Sequence, residues 1–152
     1  MVLDDSEVGF RAFVTDVEPR LRRALIAAYG YERGREATAE ALAYAWEHWG
    51  RISKLRNPAG YLYRVGQSRT RSKKMPIAYE SHTFDDPRVE PSLVSALTAL
   101  PERQRAAVFL VHGAGWTHAE TAELLGIKES TVQKHVERAL QRLRRTVVRQ
   151  GG

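Results

Sequence analysis

The run from Glu129 to Val148, ESTVQKHVERALQRLRRTVV, constrains the fold more than any other stretch. Its apolar residues are Val132, Val136, Leu140 with Ala139, Leu143 and Val147, one stripe along an α-helix. A stripe this regular must be covered by other elements, so the chain needs partner helices. Off the stripe stand Ser130, Gln133, Lys134, Glu137, Arg138 and Gln141, side chains long or polar enough to reach base edges in a DNA major groove. Thr117–Leu125 reads as a second, short helix, followed by Gly126-Ile127-Lys128. Helix, glycine turn and helix with a basic outer face is the pattern of a helix-turn-helix reader.

With 152 residues the chain can form one ordinary domain or two small ones. It has no cysteine, so neither disulfides nor thiolate metal sites can staple it. No apolar run is long enough to span a membrane and the first residues, MVLDDSEVGF, are acidic, so a cytoplasmic protein is expected. Net charge is +6, which favours polyanionic partners. The charge is unevenly placed. Residues 1–75 carry 14 basic and 9 acidic groups, residues 76–95 carry 1 and 4, and residues 96–152 carry 9 and 5. Two basic blocks flank an acidic middle.

Phe10, Phe13, Val14, Val17, Leu21, Leu25 and Ala28 repeat at helical spacing, with Pro19 either opening a second helix or kinking a continuous one. An alanine-rich helix follows over 35–53, on which Leu42, Trp46 and Trp49 share an apolar face, and both tryptophans are expected in the core. Asn57-Pro58 predicts a capped helix start over 58–74. That helix leads with aromatic residues and ends almost wholly basic. Such a surface suits single-stranded nucleic acid, but taken alone it favours a solvated helix end whose cations complement the macrodipole. Residues 75–91 hold three prolines and no period, hence a linker. Ser92 is expected to cap the next helix and Pro101 to open another through Gly113. Thr117 and Glu120 have capping-box spacing. The prediction is an all-α protein: a helical domain over 1–74, a linker over 75–91 and a four-helix helix-turn-helix domain over 92–152.

The string from Leu100-Pro101 with Arg103 and Arg105, through Ala122-Glu123-Leu124-Leu125-Gly126-Ile127 and Thr131-Val132, to Arg138-Ala139 and Leu143-Arg144 resembles the fourth conserved region of bacterial RNA polymerase sigma factors, in particular the small extracytoplasmic-function (ECF) class. Ala45-Trp46, Asn57-Pro58, Tyr61-Leu62-Tyr63-Arg64-Val65 and Arg69 resemble the second region. The resemblance implies a promoter-specificity subunit. Its partners would be core polymerase (β′ clamp and β flap), promoter DNA and an anti-sigma factor. Ser130, Thr131, Gln133, Lys134, Glu137 and Arg138 would read the −35 duplex, with Arg103, Arg105, Thr117 and Lys128 on phosphates. Tyr61, Tyr63, Arg64, Gln67, Ser68, Arg69 and Arg71 would hold the melted −10 strand. Glu36, Glu40 and Leu42 would touch the polymerase, although only the two glutamates keep the character of the family's acidic-glutamine signature. Ser68 stands where the family often has asparagine. Lys128 stands where it often has a capping serine.

No catalytic set is present, so an enzyme is not expected, nor a cofactor. His112, His118 and His135 lack the companions a metal site needs. Two other readings stay open. One is a stand-alone regulator, since STVQKHVERALQRL also resembles the reading helix of LuxR-type proteins. The other is a degenerate sigma-like protein that binds a partner without initiating transcription.

Overall fold

The computed structural model describes residues 4–71 and 91–150, with the backbone alone for residues 91, 92, 94 and 147–150. Among these residues every regular element is helical. Helix α1 (Asp5–Tyr29) runs unbroken through Pro19, so the proline neither opens a helix nor ends one. The lost backbone bond is offset by burial of Val17, Leu21, Ala24 and Leu25 on either side. Asp4 caps the start, its side chain accepting from Glu7 N–H at 2.9 Å.

Gly30, at φ 88°, is the single residue between α1 and α2 (Tyr31–Glu47). A left-handed residue there lets α2 fold straight back on α1. The buried face of α2 is Gly34, Ala37, Thr38, Ala41 and Ala45. This ridge of small residues brings the backbones close: a Cβ on Gly34 would lie 2.5 Å from the Ile26 backbone. A short helix α3 (Trp49–Ile52) then turns the chain toward α4 (Pro58–Arg71). Asn57 caps α4 as expected, its Oδ1 accepting from Gly60 N–H at 3.1 Å, with Pro58 in the first turn.

The C-terminal half begins with α5 (Pro91–Ala99), one residue before the expected Ser92 cap. Pro101 precedes α6 (Glu102–Val108) rather than opening it, and the chain widens into a π-helical segment at Phe109–Gly113. Helices α7 (His118–Leu125) and α8 (Glu129–Gln150) follow. Of the expected linker, residues 75–90 lie outside the described residues, as does the 72–74 end of the helix expected over 58–74.

The two halves share a core. Ala106, Leu110 and Leu124 are buried in the same cluster as Leu21, Leu25, Leu62 and Tyr63. The other side of α6 packs on α8, through Ala107 against Val132 and Val136 and Val108 against Ala139. At the centre lies Arg105, 2% exposed. Its guanidinium donates to Ala28 C=O (Nε 3.1 Å, Nη2 2.5 Å), Leu100 C=O (Nη1 2.7 Å) and Thr98 C=O (Nη1 3.2 Å). The expectation that Arg105 touches a phosphate is therefore corrected. Its donors satisfy carbonyls at the C-terminal ends of α1 and α5, groups no helix can satisfy internally. Trp46 is corrected in the opposite sense: it is 46% exposed, its ring 5.0 Å from that of Phe10 and tilted 47° to it.

The close crossing of α1 and α2 yields a prediction. Gly34→Ala should cost about 1–3 kcal/mol by overpacking. Gly50→Ala, where a Cβ meets nothing within 4 Å, should be neutral or stabilising. Urea unfolding of both variants checks it, and equal midpoints for the two would refute the crossing.

Candidate nucleic-acid interface

Thr117 and Glu120 form a complete capping box: Thr117 Oγ1 accepts from Glu120 N–H at 3.0 Å, and Glu120 Oε1 accepts from Thr117 N–H at 3.3 Å. The Thr117 hydroxyl also donates to that carboxylate at 2.9 Å. Its place at the start of α7 is thus fixed by the helix itself, and a phosphate would have to compete for it. Gly126, at φ 68° and ψ 36°, ends α7 in the left-handed region, and Ile127 N–H returns to Ala122 C=O at 3.0 Å. The Lys128 carbonyl accepts from Thr131 and Val132 N–H, both at 3.0 Å, so its backbone starts α8 while its side chain stays exposed.

On α8, Val132, Val136 and Ala139 are buried, whereas Ser130, Gln133, Lys134, Glu137 and Arg138 are exposed and Thr131 is half-buried. Gln133 Nε2 donates to Glu137 Oε1 at 3.3 Å, one turn on. Lys134, Arg138 and Arg142 continue the exposed basic line. A helix of this width, with amide, carboxylate and cationic ends along one ridge, has the shape and donor set to enter a major groove. Beside it, both ring nitrogens of His135 are buried without a hydrogen-bond partner. Burial first, then the charges of Arg103 and Arg138, hold its pKa below the ordinary 6.5.

The second candidate surface is on α4, and the structure divides it. Tyr61, Arg64, Ser68, Arg69 and Arg71 are exposed or half-exposed, while Tyr63 is 2% exposed and belongs to the core. The expectation that Tyr63 stacks on a base does not fit that placement. Gln67 Nε2 and Arg71 Nη2 both donate to Glu102 Oε1, at 3.2 and 2.8 Å, and Tyr29 OH joins them at 2.7 Å. Burial, with Glu102 beside it, pushes the Tyr29 phenol well above its usual range. Arg64 Nη2 reaches Gly126 C=O at 3.4 Å. A cleft of about 610 Å³ runs between the halves here, lined by Tyr63, Arg64, Gln67, Ser68, Arg71, Arg103 and the Gly126 turn.

Sequence reading missed an aromatic group at the far side of Tyr61. Arg51 donates to Tyr44 OH at 2.5 Å and Tyr61 OH at 3.3 Å and lies 6.0 and 5.5 Å from the two ring centroids. His48 stacks on Tyr44 at 4.2 Å and 20°. The i,i+4 spacing of Tyr44 and His48 was a visible signal; their meeting with Tyr61 across two helices was not. Open rings with a guanidinium beside them can stack unpaired bases. Of the expected polymerase contacts, Glu36 is exposed, Glu40 half-exposed and Leu42 half-buried against the core. Among the described residues no group of side chains could hold a metal ion, and no helix is long and apolar enough to cross a membrane.

Residues 92–143 match the family model of sigma-70, region 4. Over 50 residues the chain is 48% identical to ECF RNA polymerase sigma factor SigM of Mycobacterium tuberculosis, an alignment spanning 33% of this chain and 26% of that protein. The chain thus covers about a quarter of the length of the curated relatives it matches. The fold is similar to two solved structures. One is the sigma factor RpoE in complex with the anti-sigma factor NepR from Bartonella quintana (TM-score 0.59, 19% identity, 91% of this chain and 96% of that one). The other is CnrH in complex with the cytosolic domain of CnrY (TM-score 0.62, 18% identity, 93% and 88%).

The depressed His135 pKa gives a testable sign. The unfolded chain binds the proton more readily, so this contribution to stability is full above about pH 6.5 and is lost as pH falls. Thermal midpoints of the wild type and His135→Leu should therefore diverge less at pH 5 than at pH 8 if the leucine packs worse, and the variant should be less sensitive to acid. An acid limb equally steep in both would rule His135 out as its source.

Proposed function

We propose that this chain, whose residues 92–143 match sigma-70 region 4, is an ECF-type sigma factor that binds core RNA polymerase and directs it to promoters. The observation that carries the reading is the α7–Gly126–α8 reader, presented with its polar ridge outward on the segment that matches region 4. The similarity of fold across the rest of the chain supports it. In this reading α8 takes the −35 duplex. Gln133 can pair with adenine, Glu137 can accept from cytosine, and Lys134 and Arg138 reach guanine or phosphate, with Arg103 and Lys128 setting register on the backbone. The N-terminal half meets the polymerase clamp through the Glu36–Glu40–Leu42 side of α2. It holds the melted −10 strand along α4, using Tyr61, Arg64, Gln67, Ser68, Arg69 and Arg71, extended by Tyr44, His48 and Arg51. An anti-sigma protein is the regulatory partner this reading brings with it, and the setting is cytoplasmic. The chain supplies no chemistry of its own; bond making belongs to the polymerase. Division into domains over 1–74 and 92–152 with a linker between is part of the same proposal.

The test is reconstitution. Mixed with core polymerase, the protein should co-elute with it and support run-off transcription from a cognate promoter. Retardation of duplex DNA by the protein alone, with no polymerase complex, would favour the stand-alone regulator. In the reconstituted system Arg138→Ala should lower initiation by about tenfold or more, one base-edge contact, with polymerase binding intact. Loss of the polymerase complex instead would mean the interface lies on α8. Arg51→Ala should weaken binding of a melted −10 template by about tenfold, one stacked base, without altering duplex −35 binding; equal loss on both DNAs would remove Arg51 from the strand site.

A further inference from the structure

The cleft of about 610 Å³ between α4, α6 and the Gly126 turn gathers three guanidiniums, Arg64, Arg71 and Arg103, and among the described residues no carboxylate lines it. All three arginines are exposed. Arg71 has an acidic partner beside the cleft, Glu102 at 2.8 Å. Arg64 meets a neutral group, Gly126 C=O at 3.4 Å, which leaves its charge intact. Like charges held at one cleft repel one another, and a polyanion placed among them replaces that repulsion with attraction. The remaining lining is apolar or neutral. Ala106 is buried, Leu125 and Ile127 are half-buried, and Tyr63 is 2% exposed. The Ser68 hydroxyl and the Gln67 amide add uncharged donors. Pockets for small ligands enclose about 300–1,000 Å³ and set a few polar groups against an apolar lining. Here the polar groups are cations in solvent and the apolar lining lies deeper. That combination suits a ligand with one flat, weakly polar part and several negative charges.

We propose that this cleft binds a free nucleoside triphosphate, with the phosphates on Arg64, Arg71 and Arg103 and the base over Ala106, Leu125 and Ile127. Two of the arginines come from α4 and the third from α6, so the ligand bridges the two halves of the chain. Planar guanidiniums bind phosphate oxygens through paired N–H donors, which a single lysine cannot do. Arg64 and Arg71 also serve the melted strand in the reading above, so nucleotide and strand would compete for them. The nucleotide site itself does not rest on that reading.

The test is a titration of the full-length protein, at fixed ionic strength with magnesium present, into ATP carrying an N-methylanthraniloyl fluorophore on its ribose. Saturable one-to-one binding is expected, with unlabelled ATP and GTP displacing the probe. Tripolyphosphate, which has the charge without the base, should displace it at least about tenfold less well. Ile127→Ala should weaken ATP and leave tripolyphosphate unchanged. Arg64→Ala and Arg103→Ala, both at exposed positions, should each weaken ATP about tenfold, the loss of one charge-assisted contact, with circular dichroism unchanged. Arg145→Ala removes an exposed cation of α8 outside the cleft and should change binding by less than about twofold. Absence of saturable binding overturns the site. So does tripolyphosphate competing as well as ATP, or Arg145→Ala costing as much as Arg103→Ala, since either marks diffuse attraction to a basic surface. Nucleotide binding by a protein that forms no polymerase complex would uphold the site and sink the sigma reading.

Discussion

A guanidinium taken out of water is costly unless every donor finds an acceptor, and Arg105 finds its acceptors at the ends of two helices. Helix α1 has no basic residue in its own last turn, so the partial negative charge of its exposed carbonyls has no local complement. The cation arrives from α6, more than seventy residues along the chain, at Ala28 C=O. The same group reaches back to Leu100 and Thr98, fixing the turn between α5 and α6. One side chain therefore sets where the C-terminal half sits on α1. Given that point, Ala106 and Leu110 fall into the N-terminal core, and α7 is brought against α4 at Gly60.

That anchoring decides which polar groups remain for a ligand. Arg64 and Arg71 reach the C-terminal half while staying exposed, and Arg33 donates to Thr70 C=O at 3.0 Å, so part of the basic character of the N-terminal half is already bonded within the fold. Helix α8 is different. Its apolar stripe lies on α5, α6 and α7, which leaves Gln133, Lys134, Glu137 and Arg138 to solvent. Helix α8 is backed by packing on its apolar side, which is the arrangement a base-edge contact would need if hydrogen-bond geometry is to discriminate.

The features legible in the sequence are those that i,i+3 and i,i+4 neighbours determine. The α8 stripe, the Thr117–Glu120 box, the Asn57 cap and the glycine turn at 126 all follow from local backbone physics, and all are present. What was not legible depends on what packs opposite. Five consecutive residues of α6, Gln104 to Val108, are buried, because α1 covers one side and α8 the other. A helix held on both sides has no apolar stripe to read, so Arg105 looked like a surface cation. Tyr63 looked like a member of an aromatic surface because its burial needs α6 as a lid. The spacing of Trp46 matches Leu42 and so reads as core, yet its ring meets that of Phe10 at 5.0 Å in a tilted pair at the surface, 46% exposed.

The same distinction bears on the charge map. An excess of cations spread over both ends of the chain would suggest two equal electrostatic contacts with DNA. An ion pair such as Arg71–Glu102 offsets a cation locally, whereas a bond to a neutral carbonyl leaves its charge intact, and counterion release scales with the phosphate contacts actually made, about 0.9 in log–log salt slope per phosphate on duplex DNA. The exposed cations Lys134, Arg138 and Arg142 on α8, with exposed Arg103 and Lys128, are the basic surface of the C-terminal half. On α4, Arg64 and Arg71 stay exposed even with their Gly126 and Glu102 partners. Arg105, 2% exposed with its donors on three carbonyls, is a cation that no phosphate can reach in this fold.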